Sequence, residues 1–288
     1  MLTTVLGDTG DSIPVIGFGG MPLSIQGRPS EEQGRRTLNA AIDAGMTLID
    51  TADVYCLDDG DIGHNERLIA SVVSERPDRG QVRIATKAGL RRPRGAWVND
   101  GSPEHIREAC ERSLRALGTE KIWLYQFHAP DPKVKFEKSI EAFAELHREG
   151  KFQHFGLSNV DAEQLDRAEA ILHVVSVQNR LNPYFRESIE VAEECALRGI
   201  TFLAYSPVGG GRLAKKLPMF EVLQRIARDH SATVHAVVLA WVRAQAKTVV
   251  PIPAARKVEH ALDSASAAGL ALSEHELRAI DESEFDRA

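Results

Sequence analysis

Eight short apolar runs, each followed by a longer amphipathic stretch, constrain this chain more than any other feature. They lie at Val15–Phe18, Thr47–Asp50, Val82–Thr86, Ile122–Phe127, His154–Leu157, Val174–Gln178, Thr201–Tyr205 and Thr248–Ile252. Several are apolar without alternation, as strands covered on both faces must be. The stretches between them carry helix signals. Ser30 with Gln33, and Asp161 with Gln164, read as capping boxes. Ser102-Pro103-Glu104 supplies an N-cap, a proline for the first turn and an early acid. Gly45, Gly118, Gly150 and Gly199 stand where helices stop in a left-handed residue. Eight strand–helix units in one chain imply an α/β fold, the (β/α)8 TIM barrel, as a single domain over residues 1–288. An N-terminal β-hairpin, Thr3–Leu6 with a turn at Asp8–Asp11, precedes the repeat. Two extra helices, Thr233–Gln245 and Ser273–Glu284, are expected beyond it.

The competing α/β arrangement is an open doubly wound sheet, whose first strand should lead into GxGxxG. Here that strand ends Gly17-Phe18-Gly19-Gly20-Met21-Pro22, and the proline breaks the signature. Composition narrows the function classes. The net charge of −6 gives no electrostatic reason for binding nucleic acid or an anionic membrane. Cys56, Cys110 and Cys195 form no CxxC, and the histidines show no HExxH spacing, so no metal site is expected. A low, odd cysteine count suits a reducing cytoplasm. Residues 1–10 lack the pattern of a signal peptide, and no apolar run has the length of a membrane span.

In a barrel of this kind, chemistry occupies the C-terminal ends of strands and the loops after them. The polar residues there are few: Asp50 and Tyr55 after the second run, Lys87 after the third, His128 after the fourth, Ser158 and Asn159 after the fifth, Gln178 at the sixth, and Tyr205 and Ser206 at the seventh. Singly, each has an ordinary structural use as a cap, a surface charge or packing. Together, Asp50, Tyr55, Lys87 and His128 form an acid–base set. A phenol titrates near pH ~10. A neighbouring ammonium lowers that value, a carboxylate holds the ammonium, and an imidazole can orient a carbonyl oxygen.

The motifs carrying these residues resemble those of the aldo-keto reductase superfamily. DTAxxY is Asp50-Thr51-Ala52-Asp53-Val54-Tyr55; the TK of the third strand is Thr86-Lys87; the H ending the fourth is His128 in Leu124-Tyr125-Gln126-Phe127-His128. GLSN is Gly156-Leu157-Ser158-Asn159, QNxxN is Gln178-Asn179-Arg180-Leu181-Asn182, YSPL is Tyr205-Ser206-Pro207-Val208, and IPGxR is Ile252-Pro253-Ala254-Ala255-Arg256. The resemblance implies carbonyl reduction with NADP(H), Tyr55 as general acid, Lys87 as its pKa-lowering partner, Asp50 as counter-ion and His128 as orienting donor. It implies cofactor contacts from Gly20, Met21, Asp50, Ser158, Asn159, Gln178, Tyr205, Ser206, Pro207, Val208, Ile252, Arg256, Lys257 and His260. Ser158, Asn159 and Gln178 would hold the carboxamide, Tyr205 would stack on the nicotinamide ring, and Arg256 with Lys257 would meet the 2′-phosphate.

The chain departs from the pattern at Cys56, where a glycine usually follows the tyrosine; a packed, inert cysteine is expected there. Gly209–Leu217 is short for a loop that folds over the pyrophosphate. The substrate pocket is expected from Tyr55, His128 and Trp97, the last either walling the pocket or packing its loop against the barrel. Arg91, Arg92 and Arg94 in that loop are expected on a solvated face. The sequence stops at Ala288 soon after the last helical stretch, which suggests an open pocket for small, varied aldehydes or ketones. Two other readings remain: a Schiff-base enzyme using Lys87, and a nicotinamide-binding regulatory module with little turnover.

Overall fold

The computed structural model describes residues 1–287; Ala288 lies outside them. A two-stranded hairpin opens the chain, β1 (Thr3–Val5) and β2 (Ser12–Pro14). The barrel strands are β3 (Phe18–Gly19), β4 (Leu48–Asp50), β5 (Arg83–Ala88), β8 (Ile122–Phe127), β9 (Phe152–Ser158), β10 (Ser176–Arg180), β11 (Thr201–Tyr205) and β12 (Val249–Ile252). Within the loop after β5 lies a small hairpin, β6 (Leu90–Arg91) and β7 (Val98–Asn99). Each barrel strand pairs in parallel with its neighbours in chain order. The ring closes where Gly17 and Gly19 donate their N–H groups to Pro251 and Pro253 at 3.0 and 2.9 Å.

That seam explains the glycines that imitate a dinucleotide loop. A Cβ on Gly19 would lie 3.0 Å from the Ile252 carbonyl oxygen, and one on Gly20 would lie 2.6 Å from Asn65 Oδ1. The first strand and its exit have room only for bare backbone. They close a barrel rather than cradle a phosphate. Close approach also shortens the strand: β3 has two residues, where Val15–Phe18 was expected.

The hairpin plugs the barrel floor. Leu6 and Ile13 are buried with Leu48, Ala85, Leu124, Val175, Leu203 and Val250. Two such side chains stabilise the fold by roughly 1.5–3 kcal/mol each. With the floor sealed, the opposite rim is left for chemistry.

Helices α1 (Glu31–Asp43), α2 (His64–Ser74), α3 (Pro103–Leu117), α4 (Phe136–Arg148), α5 (Ala162–Glu169) and α6 (Ile189–Arg198) follow successive strands. After β11 come α7 (Gly211–Lys216), α8 (Glu221–Asp229) and α9 (Val234–Ala244); after β12 come α10 (Val258–Ser266) and α11 (Glu274–Asp281). Thus α9 and α11 are the two expected extra helices. Asp161 and Gln164 form the full capping box. Ser30 caps α1 through the Gln33 N–H, but the Gln33 side chain turns instead to Thr37 and to the Arg256 carbonyl. None of the helices among the described residues is long and apolar enough to cross a membrane.

Candidate active site

The acid–base residues converge at the C-terminal rim. Lys87, on β5, is fully buried. Its Nζ donates to Asp50 Oδ2 at 2.6 Å, to the Thr51 carbonyl at 2.9 Å and to Tyr55 Oη at 3.0 Å. An ammonium has three hydrogens, so this geometry uses its full donor capacity. Asp50 ends β4 and is also held on Oδ1, by Gln178 Nε2 at 2.8 Å and Gln126 Nε2 at 3.3 Å. Two buried charges are thereby paired and hydrogen-bonded, the condition under which burial is tolerated.

The phenol differs from expectation in one respect. Burial, then the Asp50 carboxylate, hold Tyr55 well above the ordinary tyrosine value. Both act against the lowering expected from Lys87, whose ammonium stands 3.0 Å from the phenol oxygen. Burial also lowers Lys87, with Asp50 opposing. Tyr55 is therefore a protonated phenol whose oxygen already accepts one hydrogen bond. His128 is pushed well below its ordinary value by burial, then by Lys87, and so is neutral. Its ring stands edge-on to Tyr55 at 5.7 Å, and its Nδ1 is buried without a partner.

Trp97 flanks the same phenol, edge-on at 6.3 Å and 47% exposed. The loop arginines do not share one environment. Arg91 pairs with Asp100 and Arg94 is exposed. Arg92 is buried, contrary to the solvated face expected, and its guanidinium carbon lies over the Trp97 ring at 3.8 Å. Cys56 is buried, and burial pushes its thiol up to about 11, which keeps it protonated and inert.

A second cluster adjoins the first. Asn159 adopts φ 58°, a left-handed conformation that asparagine tolerates better than most residues. Its Nδ2 donates to the His128 carbonyl at 2.9 Å and to Ser158 Oγ at 3.1 Å, and its Oδ1 accepts from Tyr205 Oη at 2.8 Å. The side chain of one residue with left-handed backbone thus ties the ends of β8, β9 and β11 together. Ser158 and Gln178 are buried beside it. Ser206 is also left-handed at φ 48°. Pro207 is buried and Val208 half-buried. Gly209, Gly210 and Gly211 follow with positive φ, and a Cβ on either of the last two would meet nothing within 4 Å. In place of a long covering loop there is the six-residue α7.

The remaining expected contacts sit on one side of the rim. Gly20 donates to the Asp50 carbonyl at 2.8 Å. Met21 packs against Ala52, Val54 and Tyr55. Ile252 is buried at the end of β12. Arg256, Lys257 and His260 are exposed around the start of α10. Arg256 reaches across to the carbonyls of Pro22 and Gln26, both at 3.2 Å, and Lys257 lies 3.5 Å from Glu259.

The sequence reading passed over Gln126, whose amide steadies Asp50, and Asn65. Asn65 accepts from Thr51 Oγ1 at 2.6 Å and donates to the Gly20 carbonyl at 2.9 Å. Gln126 carried a usable signal, a polar residue inside an otherwise apolar strand. Asn65 carried none, because a helical asparagine near a loop looks like any other.

Comparison with known proteins agrees with this geometry. The sequence profile of the Aldo/keto reductase family matches residues 15–284. The chain belongs to that family. It is 32% identical to probable aldo-keto reductase 1 of Glycine max, over 96% of this chain and 87% of the relative. Among solved structures, a thermostable aldo-keto reductase in complex with the inhibitor epalrestat superposes with a TM-score of 0.83 at 31% identity, covering 98% of this chain and 99% of the other. An aldo-keto reductase from Klebsiella pneumoniae in complex with NADPH gives 0.81 at 27% identity, covering 98% and 95%. As a member of the aldo/keto reductase family the chain is an oxidoreductase of carbonyl compounds.

Proposed function

We propose that this aldo/keto reductase works as one barrel domain, reducing small aldehydes or ketones to alcohols with NADPH, and that Tyr55 supplies the proton. The observation that carries the reading is the triple hydrogen bonding of Lys87. Its ammonium fixes the Tyr55 oxygen as an acceptor, so the phenolic hydrogen is directed elsewhere, toward a substrate oxygen. As Tyr55 gives up that hydrogen, its charge develops 3.0 Å from a buried cation, where electrostatic stabilisation is strong. The same bonding argues against Lys87 as a Schiff-base nucleophile, since an amine that attacks must have a free lone pair. Neutral His128 keeps one ring N–H, and in the Nε2 tautomer would present it to the carbonyl.

The residues present fit a nicotinamide dinucleotide. Three consecutive positive-φ glycines, two of them with open space where a Cβ would stand, leave bare backbone that a pyrophosphate could approach closely. Ser158, Asn159 and Gln178 would hold the carboxamide and Tyr205 would stack on the ring. Gly20, Met21, Ser206, Pro207, Val208 and Ile252 would line the groove, and Arg256, Lys257 and His260 would surround the adenosine end. When bound, the reduced cofactor supplies the hydride. The relative from Klebsiella pneumoniae crystallised with NADPH supports NADP(H) as the cofactor, and two exposed cations beside a helix N-terminus suit a 2′-phosphate. Three buried free thiols suit the cytoplasm. The test is NADPH oxidation measured against a panel of aldehydes and ketones. Turnover of several small carbonyls supports the reading, and none with any member of the panel overturns it.

A further inference from the structure

Arg92 is the residue whose environment the reaction leaves unexplained. Its Nη2 donates to the Cys56 carbonyl at 3.1 Å, the Leu57 carbonyl at 3.3 Å and Gln26 Oε1 at 3.1 Å. Gln26 in turn donates to the same Leu57 carbonyl at 2.9 Å. Its Nε and Nη1 are buried with no acceptor, and it forms no salt bridge with any described residue. A buried guanidinium with unmet donors disfavours folding, and an apolar side chain of similar volume would fill such a place at lower cost. What the arginine has instead is a cation–π contact, its guanidinium carbon over the Trp97 indole at 3.8 Å. That indole is 47% exposed and stands edge-on to Tyr55. Both unpaired nitrogens are buried, while the arginine borders a cavity it shares with Asp59, Arg91 and Arg112.

We propose that Arg92 is a positioning residue. It fastens the β6–β7 hairpin to the Tyr55 loop and holds Trp97 as the substrate-facing wall, and so sets which carbonyl compounds fit. The clamp rests on the reductase reading for its consequence but not for its geometry. One end is fixed by backbone carbonyls just after the catalytic tyrosine, and the other is a cation–π contact with a ring that solvent would otherwise leave mobile. A substrate large enough to touch the indole depends on it. A small substrate held only by Tyr55 and His128 does not.

The experiment compares wild type with Arg92→Met, Arg92→Lys, Trp97→Ala and the Arg92→Met/Trp97→Ala double variant, using benzaldehyde and propanal with NADPH. In Arg92→Met the KM for benzaldehyde should rise by about two- to thirtyfold, the range that loss of a cation–π contact gives in an equilibrium. The kcat and the KM for propanal should stay near wild type. Arg92→Lys keeps a cation under the ring and should fall between the two, and it covers the case in which the methionine variant does not fold. The double variant should match Trp97→Ala alone. Equal losses for both aldehydes, or additive effects in the double variant, would overturn the proposal. Acrylamide quenching of Trp97, read in a Trp123→Phe background with Trp241 fully buried, is independent of turnover. Quenching should increase in Arg92→Met. Unchanged quenching overturns the clamp, whereas a wild type inactive toward both aldehydes overturns the reductase reading and leaves quenching to decide the clamp.

Discussion

Replacing Lys87 by methionine removes the cation from the buried cluster and keeps the length of the stem. The ammonium is fully buried, and its three hydrogens reach Asp50, Thr51 and Tyr55. Its loss strands a carboxylate oxygen and two further acceptors away from water. Breaking a buried pair on one side costs about 3–5 kcal/mol. Gln178 and Gln126 still donate to the other Asp50 oxygen, which places the expected loss at the lower end, about 3 kcal/mol. Adding Asp50→Asn removes the stranded charge, so the double variant should recover at least about 1 kcal/mol relative to the sum of the single losses. Urea unfolding of the four proteins near neutrality measures both the deficit and the recovery. A deficit under about 1 kcal/mol, or strict additivity, would refute the reasoning.

Further expectations follow from single groups. All four tyrosines, Tyr55, Tyr125, Tyr184 and Tyr205, are raised by burial. Ultraviolet titration of the folded protein should show no phenolate below pH ~10, and one forming well below that value would mean that Lys87 dominates Tyr55 after all. Asp53 is fully buried with neither carboxyl oxygen hydrogen-bonded and Arg112 no nearer than 3.8 Å, and burial, then Glu66, raise it well above its ordinary value against the pull of that arginine. Its contribution is full below the unfolded pKa and lost as pH rises, so Asp53→Asn should be more stable than wild type near neutrality, with the gain vanishing in acid; a neutral-pH loss contradicts this. Arg256→Ala with Lys257→Ala should weaken NADPH by about 1.5–3 kcal/mol in kcat/KM and leave NADH little changed. Equal losses for both cofactors would place the discriminating cations elsewhere.

The barrel was legible because burial on both strand faces leaves an apolar run at all eight barrel strands, with the bounds least exact at β3. There, seam packing shortens the element, and its glycines answer to Ile252 and Asn65, which are distant in sequence. The convergence of Asp50, Tyr55, Lys87 and His128 was legible because the fold brings the C-terminal ends of successive strands to one rim. The direction of the Tyr55 shift was not, since it depends on how far solvent is excluded and how close Asp50 stands. Arg92 was misplaced for a related reason. Three arginines in a loop look alike in sequence, and only the β6–β7 hairpin turns one of them beneath Trp97.

The central claim is that Tyr55 donates the proton that completes carbonyl reduction. Single-turnover oxidation of bound NADPH, at saturating aldehyde, compares wild type with Tyr55→Phe, which keeps the ring and removes the hydroxyl. The account predicts a rate lower by about 10²–10⁴-fold in the variant, with NADPH affinity unchanged because Tyr55 is not among the expected cofactor contacts and the variant keeps its ring. A variant that oxidises NADPH at close to the wild-type rate would contradict it.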